Sequence, residues 1–210
     1  NQFGDIKTGR FFMRVAFTSA DPSSDVKQAD LKEEFKEISD QFGMDWKLFD
    51  MNVNTPAVIM VSKFDHCLVD LLYRRRIGTL KMDIAAVISN HDTTREIVNR
   101  EKIPFHHIPV TSDTKKDAED KIRKIIADRG AELIILARYM QILSTDMANS
   151  YPGQIINIHH SFLPSFKGAE PYSQAYHRGV KMIGATAHYV TPNLDEGPII
   201  AQQVVPVRHD

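Results

Sequence analysis

Three uninterrupted apolar runs, Ala57–Val61, Ile84–Ile88 and Leu133–Leu136, constrain this chain more than any other feature. A strand without a polar side must be covered on both faces, which suits a parallel sheet packed between helices. The intervening segments have the matching helical rhythm: Cys67, Leu68, Leu71 and Leu72, then Asp92 to Arg100, then Ala118, Ile122, Ile125 and Ile126 closed by Gly130. Phe105 to Val110 reads as a further strand, and Gln154–His159 as another. The expected fold is α/β: a mainly parallel sheet with helices on both faces, in which ligands bind beyond the carboxyl ends of the strands.

The first 50 residues have a different rhythm. Phe11–Phe17 reads as a strand, Asp30-Leu31-Lys32-Glu33 resembles an N-terminal capping signal, and Leu31, Phe35, Ile38 and Phe42 recur at helical spacing until Gly43. Met44, Trp46 and Leu48 alternate, as in a strand. This β-α-β piece cannot close a core alone and reads as part of a small α+β module. Residues 51–55 form the expected linker, and residues 56–210 the main domain. The chain begins at Asn1 without Met and stops at Asp210 after a strand-like segment, and both ends are read as cut.

With 210 residues and 42% hydrophobic content, a packed core is expected. The net charge of −1 and the absence of a basic block argue against a nucleic-acid partner; Arg74-Arg75-Arg76 reads as the solvated last turn of a helix. No segment has the length and apolarity to span a membrane, and no secretory signal opens the chain. Cys67 is the only cysteine, which fits a cytoplasmic location, and the histidine pairs His106-His107 and His159-His160 point apart on a strand, so no metal site is expected.

The chemistry-bearing pattern is Asn157-Ile158-His159 at a strand end, with Leu194-Asp195-Glu196-Gly197-Pro198 downstream. Strand alternation projects Asn157 and His159 from one side. One is an amide donor that does not titrate; the other titrates near neutrality. An aspartate arriving from a second loop would orient and charge-stabilise the histidine. Such a set suits acyl transfer, although Asn and His at a strand end also serve as plain loop caps. Thr186 and His188 share one face of a later strand, Gly184–His188, as a water-holding network or a buried hydrogen-bonded pair. After the first long strand, Ser62-Lys63-Phe64-Asp65-His66 offers no glycine-rich phosphate cradle. Cys67 beside His66 invites a nucleophile reading, but adjacent helical residues diverge and a cysteine opening an apolar stripe is ordinarily core.

Asn157-Ile158-His159, Ser161-Phe162-Leu163-Pro164, His188 and Leu194-Asp195-Glu196-Gly197-Pro198 resemble, in order and spacing from Ala57 to about Val207, the formyltransferase domain that uses 10-formyltetrahydrofolate. The resemblance implies a Rossmann-like sheet and the catalytic set Asn157, His159 and Asp195. It also implies a folate site along Met140, Gln141, Ile142 and Leu143 and the loop with Val190, Thr191 and Leu194, where plain core packing is the alternative for Met140, Ile142 and Leu143. Gln141 stands where the transferases and most deformylases of the family carry Arg, so only main-chain contacts survive there. Glycinamide ribonucleotide formyltransferases carry the phosphate loop this chain lacks, and methionyl-tRNA formyltransferases append a nucleic-acid-binding domain. The Ser62-Lys63 and His66-Cys67-Leu68 pattern, with Gly9–Val15 and Phe42–Trp46 resembling the latter half of an ACT domain, is most similar to the formyltetrahydrofolate deformylases. That branch implies residues 1–50 as a partial ACT-like regulatory domain, a glycine or methionine effector, and a homo-oligomer.

Three functions stand at this point: hydrolysis of 10-formyltetrahydrofolate to formate and tetrahydrofolate for one-carbon and purine metabolism, formyl transfer to an amine, or a non-catalytic folate- or amino-acid-binding regulator. The first two take the folate as substrate, with no tightly bound cofactor and no metal.

Overall fold

The computed structural model describes residues 2–7, 9–21, 26–168 and 170–207. The chain divides into two compact units, 1–52 and 53–210. In the first, β1 (Gln2–Asp5) and β2 (Arg10–Met13) form an antiparallel hairpin, followed by α1 (Gln28–Gln41). The helix starts at Gln28, capped by Lys27, whose side chain makes no cap bond, and not at the expected Asp30 signal. Gly43, at φ 60°, ends it as its position predicts.

Two expected strands are corrected here. The Phe11–Phe17 run is a strand only to Met13, and residues 44–48 form none. Met44, Trp46 and Leu48 alternate but find no strand partner among the described residues. The segment instead runs back along α1, with the Trp46 ring edge-on to Phe35 at 4.8 Å and the Gln28 amide donating to the Leu48 carbonyl at 2.7 Å. Alternation specifies a strand only where an edge is available to pair with it.

The second unit is a seven-stranded sheet in the order β5-β4-β3-β6-β7-β8-β9. The strands are β3 (Thr55–Val61), β4 (Met82–Ser89), β5 (Phe105–His107), β6 (Leu133–Leu136), β7 (Ile155–His159), β8 (Met182–Tyr189) and β9 (Ile199–Pro206). The first five in chain order pair in parallel, while β8 is antiparallel to β7 and β9 to β8. Strand β5 stops at His107, short of the expected Val110.

The apolar strands are covered on both sides. On one face Val58, Met60, Ile88, Ile134, Leu136 and Ile155 pack with Ala118, Ile122 and Ile126 of α4 (Lys115–Asp128) and Met147 of α5 (Thr145–Ser150). On the other, Ile59, Val61 and Val87 pack with Leu68 and Leu72 of α2 (His66–Arg76) and Val98 of α3 (Arg95–Arg100). Helix α3 begins at Arg95, three residues later than the polar boundary at Asp92 suggests. The arginines closing α2 pair with Asp70, Asp83 and Glu101 at its rim. Among the described residues no helix is long and apolar enough to cross a membrane.

Chain order reverses at β3, which lies between β4 and β6. Register carries this to the site: Met60 pairs with Leu136, and Leu136 with Asn157. Two residues further on each strand, Ser62, Arg138 and His159 therefore stand in a row at the carboxyl ends of β3, β6 and β7.

Candidate active site

Strands β7 and β8 bring four polar side chains onto one face. Their antiparallel register sets Asn157 opposite His188 and His159 opposite Thr186. Directly opposed residues share a face, so the two expected same-side pairs merge into one patch of four. His159, Thr186 and His188 are buried, and Asn157 is half-buried.

Each contact in the patch has a definite direction. The Asn157 Nδ2 lies 3.2 Å from His188 Nε2. The His188 Nδ1 lies 2.9 Å from the Tyr189 carbonyl and donates to it. Burial lowers the pKa of His188 below the ordinary histidine value, against the raising effects of the Tyr189 carbonyl and Asp195. The His159 Nε2 donates to the Phe166 carbonyl at 3.0 Å, while its Nδ1 lies 3.4 Å from Asp195 Oδ1. Both ring nitrogens of His159 thus face oxygen acceptors.

Asp195 is 7% exposed and enters from the loop between β8 and β9. Its Oδ2 accepts the Gly168 backbone N–H at 2.9 Å, and its Oδ1 also lies 3.8 Å from His188 Nε2. Its backbone is left-handed, with φ 56°, a conformation Asp tolerates better than most residues. Arg138 (φ 61°) and Phe166 (φ 56°) share that conformation, so three non-glycine residues in this region have strained backbones.

Several residues that hold the site carry no catalytic signature in the sequence. The segment 161–168 bridges the histidine and the aspartate, its Phe166 carbonyl meeting His159 and its Gly168 N–H meeting Asp195. Ser161 donates to the same Phe166 carbonyl at 3.0 Å. Thr186 donates to the Ser161 carbonyl at 2.7 Å and accepts from the Leu163 N–H at 3.0 Å and the Gln202 amide at 3.2 Å. Its hydroxyl is therefore committed to protein partners, whereas His188 reaches Asn157. Gly197 is fixed by space: a Cβ there would lie 1.7 Å from the Tyr189 carbonyl, so only glycine lets the Asp195 loop pass the end of β8. The Leu194–Pro198 motif contains that glycine; the close approach is visible only in three dimensions.

The expected folate-contacting residues line two loops. Met140 and Ile142 are 59% and 62% exposed, which excludes core packing for them, while Gln141 is half-buried and Leu143 packs against the core. The segment's backbone is nevertheless pinned. The Met140 N–H donates to Ser62 Oγ at 2.9 Å, and Ser144 is held by the buried Glu119 through its N–H at 2.8 Å and its hydroxyl. In the other loop Val190 donates to the Ile155 carbonyl at 2.8 Å, Thr191 bonds the Asn193 carbonyl at 3.0 Å, and Leu194 is half exposed. Cys67 is half-buried and burial raises its pKa, which disfavours the thiolate. Among the described residues no three His, Cys, Asp or Glu side chains are grouped to hold a metal. Two surface cavities, of about 500 and 460 Å³, are lined by α2–α3 and by α3–β5–α4 residues and include none of the site residues.

A formyl transferase family model matches residues 56–210. A formyltetrahydrofolate deformylase of Corynebacterium sp. (strain P-1) is 53% identical over 208 residues, covering 99% of this chain and 72% of that protein. The chain belongs to the formyltetrahydrofolate deformylase family. The Bacillus subtilis (strain 168) deformylase is 45% identical, over 98% of this chain and 68% of its own length. The crystal structure of the Burkholderia mallei deformylase superposes with a TM-score of 0.90 at 47% identity, covering 100% of this chain and 73% of that one. The mixed, mostly parallel sheet described above is the formyltransferase fold that the deformylases share.

Proposed function

We infer that the chain is a hydrolase that converts 10-formyltetrahydrofolate and water to formate and tetrahydrofolate. The carrying observation is the convergence of Asn157, His159 and Asp195 at one sheet end in a chain of the deformylase family.

An N-formyl group is an amide-like acyl donor. Water adds to its carbonyl carbon, and negative charge collects on the carbonyl oxygen. In this reading the Asn157 N–H that faces away from His188 donates to that oxygen; losing one such donor costs about 10²–10³ in rate. His159 stands beside it, takes a proton from the attacking water and passes it to the departing nitrogen. Its Nε2–H is held by the Phe166 carbonyl, so the reacting oxygen competes with that carbonyl for the donor. Asp195, 3.4 Å from the imidazole, keeps the ring aimed and orients the attacking water. Water takes the place of an amine acceptor, consistent with the bulky, anionic Phe64-Asp65 where a phosphate cradle would need small residues.

For the folate we propose Met140, Gln141, Ile142, Leu143, Val190, Thr191 and Leu194. Exposed Met140, Ile142 and Leu194 supply apolar surface, and the pinned backbone supplies edge donors and acceptors for a flat heteroaromatic ring. We further propose residues 1–50 as an ACT-like regulatory domain, 51–55 as a linker and 56–210 as the catalytic domain. Glycine or methionine is the proposed effector, with a homo-oligomeric assembly, a cytoplasmic location and a role in supplying formate for purine synthesis.

The deciding experiment incubates the protein with 10-formyltetrahydrofolate, with and without amines. Formate release without an amine is the expected result. Turnover only with an amine would make the protein a transferase, and binding without turnover a regulator.

A further inference from the structure

We propose that His188 is a positioning residue that fixes which end of the Asn157 carboxamide faces the reacting carbonyl. The proposal rests on the reading of Asn157 as the oxyanion donor. An asparagine side chain presents a donor at one end and an acceptor at the other, and a half-turn exchanges them. Only the donor end stabilises an oxyanion; the acceptor end repels it.

The direction follows from a backbone group whose chemistry allows no choice. The Tyr189 carbonyl, 2.9 Å from His188 Nδ1, can only accept, so Nδ1 carries the hydrogen. In the neutral ring Nε2 then holds a lone pair. Asn157 lies 3.2 Å from that Nε2 and must turn its NH₂ toward it, because a carbonyl there would face a lone pair. One amide hydrogen goes to His188. The other has no protein partner among the described residues, and Asn157 is half-buried, so an arriving carbonyl oxygen can take it as its donor. The cross-strand pairing of Asn157 with His188 fixes the spacing of the two side chains.

Protonation of His188 would reverse the arrangement. A hydrogen on Nε2 would repel the Asn157 NH₂ and turn toward Asp195 Oδ1, 3.8 Å away. The titratable groups facing the ring are Asp195 from the β8–β9 loop and His159 from β7, whose ring centroid lies 6.5 Å away. Burial of His188, at 2% exposure, keeps the neutral ring favoured.

A double-mutant cycle tests the dependence on Asn157. His188→Ala should lower kcat for formate release about tenfold, with the KM for 10-formyltetrahydrofolate changed less than about threefold. In an Asn157→Ala background the same change should cost less than about twofold, since no amide remains to orient. An equal loss in both backgrounds would overturn the proposal. The tautomer is read without turnover from ¹⁵N-histidine NMR of the wild-type protein near pH 7.5, with the His188 signals assigned by their absence in His188→Ala. A ring protonated on Nδ1 alone is expected. A ring protonated on Nε2, or on both nitrogens, would overturn the proposal even with the cycle intact. Failure of the wild type to release formate would instead sink the hydrolase reading and leave the tautomer result standing.

Discussion

The two halves of the seven-stranded sheet bury very different side chains. Strands β3, β4 and β6 bury almost nothing but hydrocarbon, and the helices on either face fill the gaps between them. Strands β7 and β8, with the loops at their ends, bury His159, Ser161, Thr186, His188 and Asp195. The first half is stabilised by area removed from water, a non-directional effect that tolerates reshaping. The second is held by hydrogen bonds whose partners must be present and aimed, since a buried polar group left unpaired is costly. The sheet thus separates stability from chemistry: one half is filled by hydrocarbon, the other is specific because its buried polar groups meet directed partners.

That contrast breaks most visibly at Asn157. Asn157→Ala should lower kcat about 10²–10³-fold while leaving folate affinity within a few-fold, measured by steady-state formate release and ligand titration. Equal kinetics in mutant and wild type would remove the oxyanion assignment. Asp195→Asn comes next. Asn adopts a left-handed backbone readily, so the loop should stay in place while the charge is lost, and kcat should fall about 10²-fold with Tm nearly unchanged. A large drop in Tm would mean that Asp195 mainly holds the loop.

In the apolar half the effects should be inverted. Ile88→Ala, at a fully buried position, should cost about 2–5 kcal/mol in denaturant unfolding, with kcat of the folded fraction unchanged. Gly197→Ala lies between the two regimes. Its Cβ meets the Tyr189 carbonyl, so it should cost about 1–3 kcal/mol and also lower kcat by displacing Asp195. The smallest effect is on pH dependence. Burial, with Arg138 nearby, pushes His160 down to about 4, and burial also lowers His188. Between about 4 and the ordinary value near 6.5 the unfolded chain binds more protons at His160 than the folded one, so stability should fall as pH drops through that window. His160→Gln should flatten the change in Tm between pH 7 and pH 5.

Fold and site differed in how far they could be read along the chain. Strand β6 and the helix ending at Gly130 were legible because hydrophobic periodicity is local, and a run such as Leu133–Leu136 has one economical place to go. Met44–Leu48 showed the limit of the same signal, since its alternation meets no strand and Trp46 packs on Phe35 instead. Within the site, Asn157 and His159 were legible as a same-face pair, and the loop motif brought Asp195 into consideration. Phe166 and Gly168 were not, because they act through backbone groups, and a carbonyl oxygen has no residue signature.

By itself the sequence determined the strand-helix alternation, the doubly covered apolar core and the residue types able to stabilise and move charge at a carbonyl. Those are consequences of period and composition, which neighbours along the chain carry. Tertiary structure alone decided that β8 lies antiparallel to β7 in the register that sets His188 against Asn157, and that the Asp195 loop folds back past Tyr189 to meet His159. Register and loop closure depend on contacts between residues 31 to 36 positions apart, and no local pattern encodes a distance across that gap.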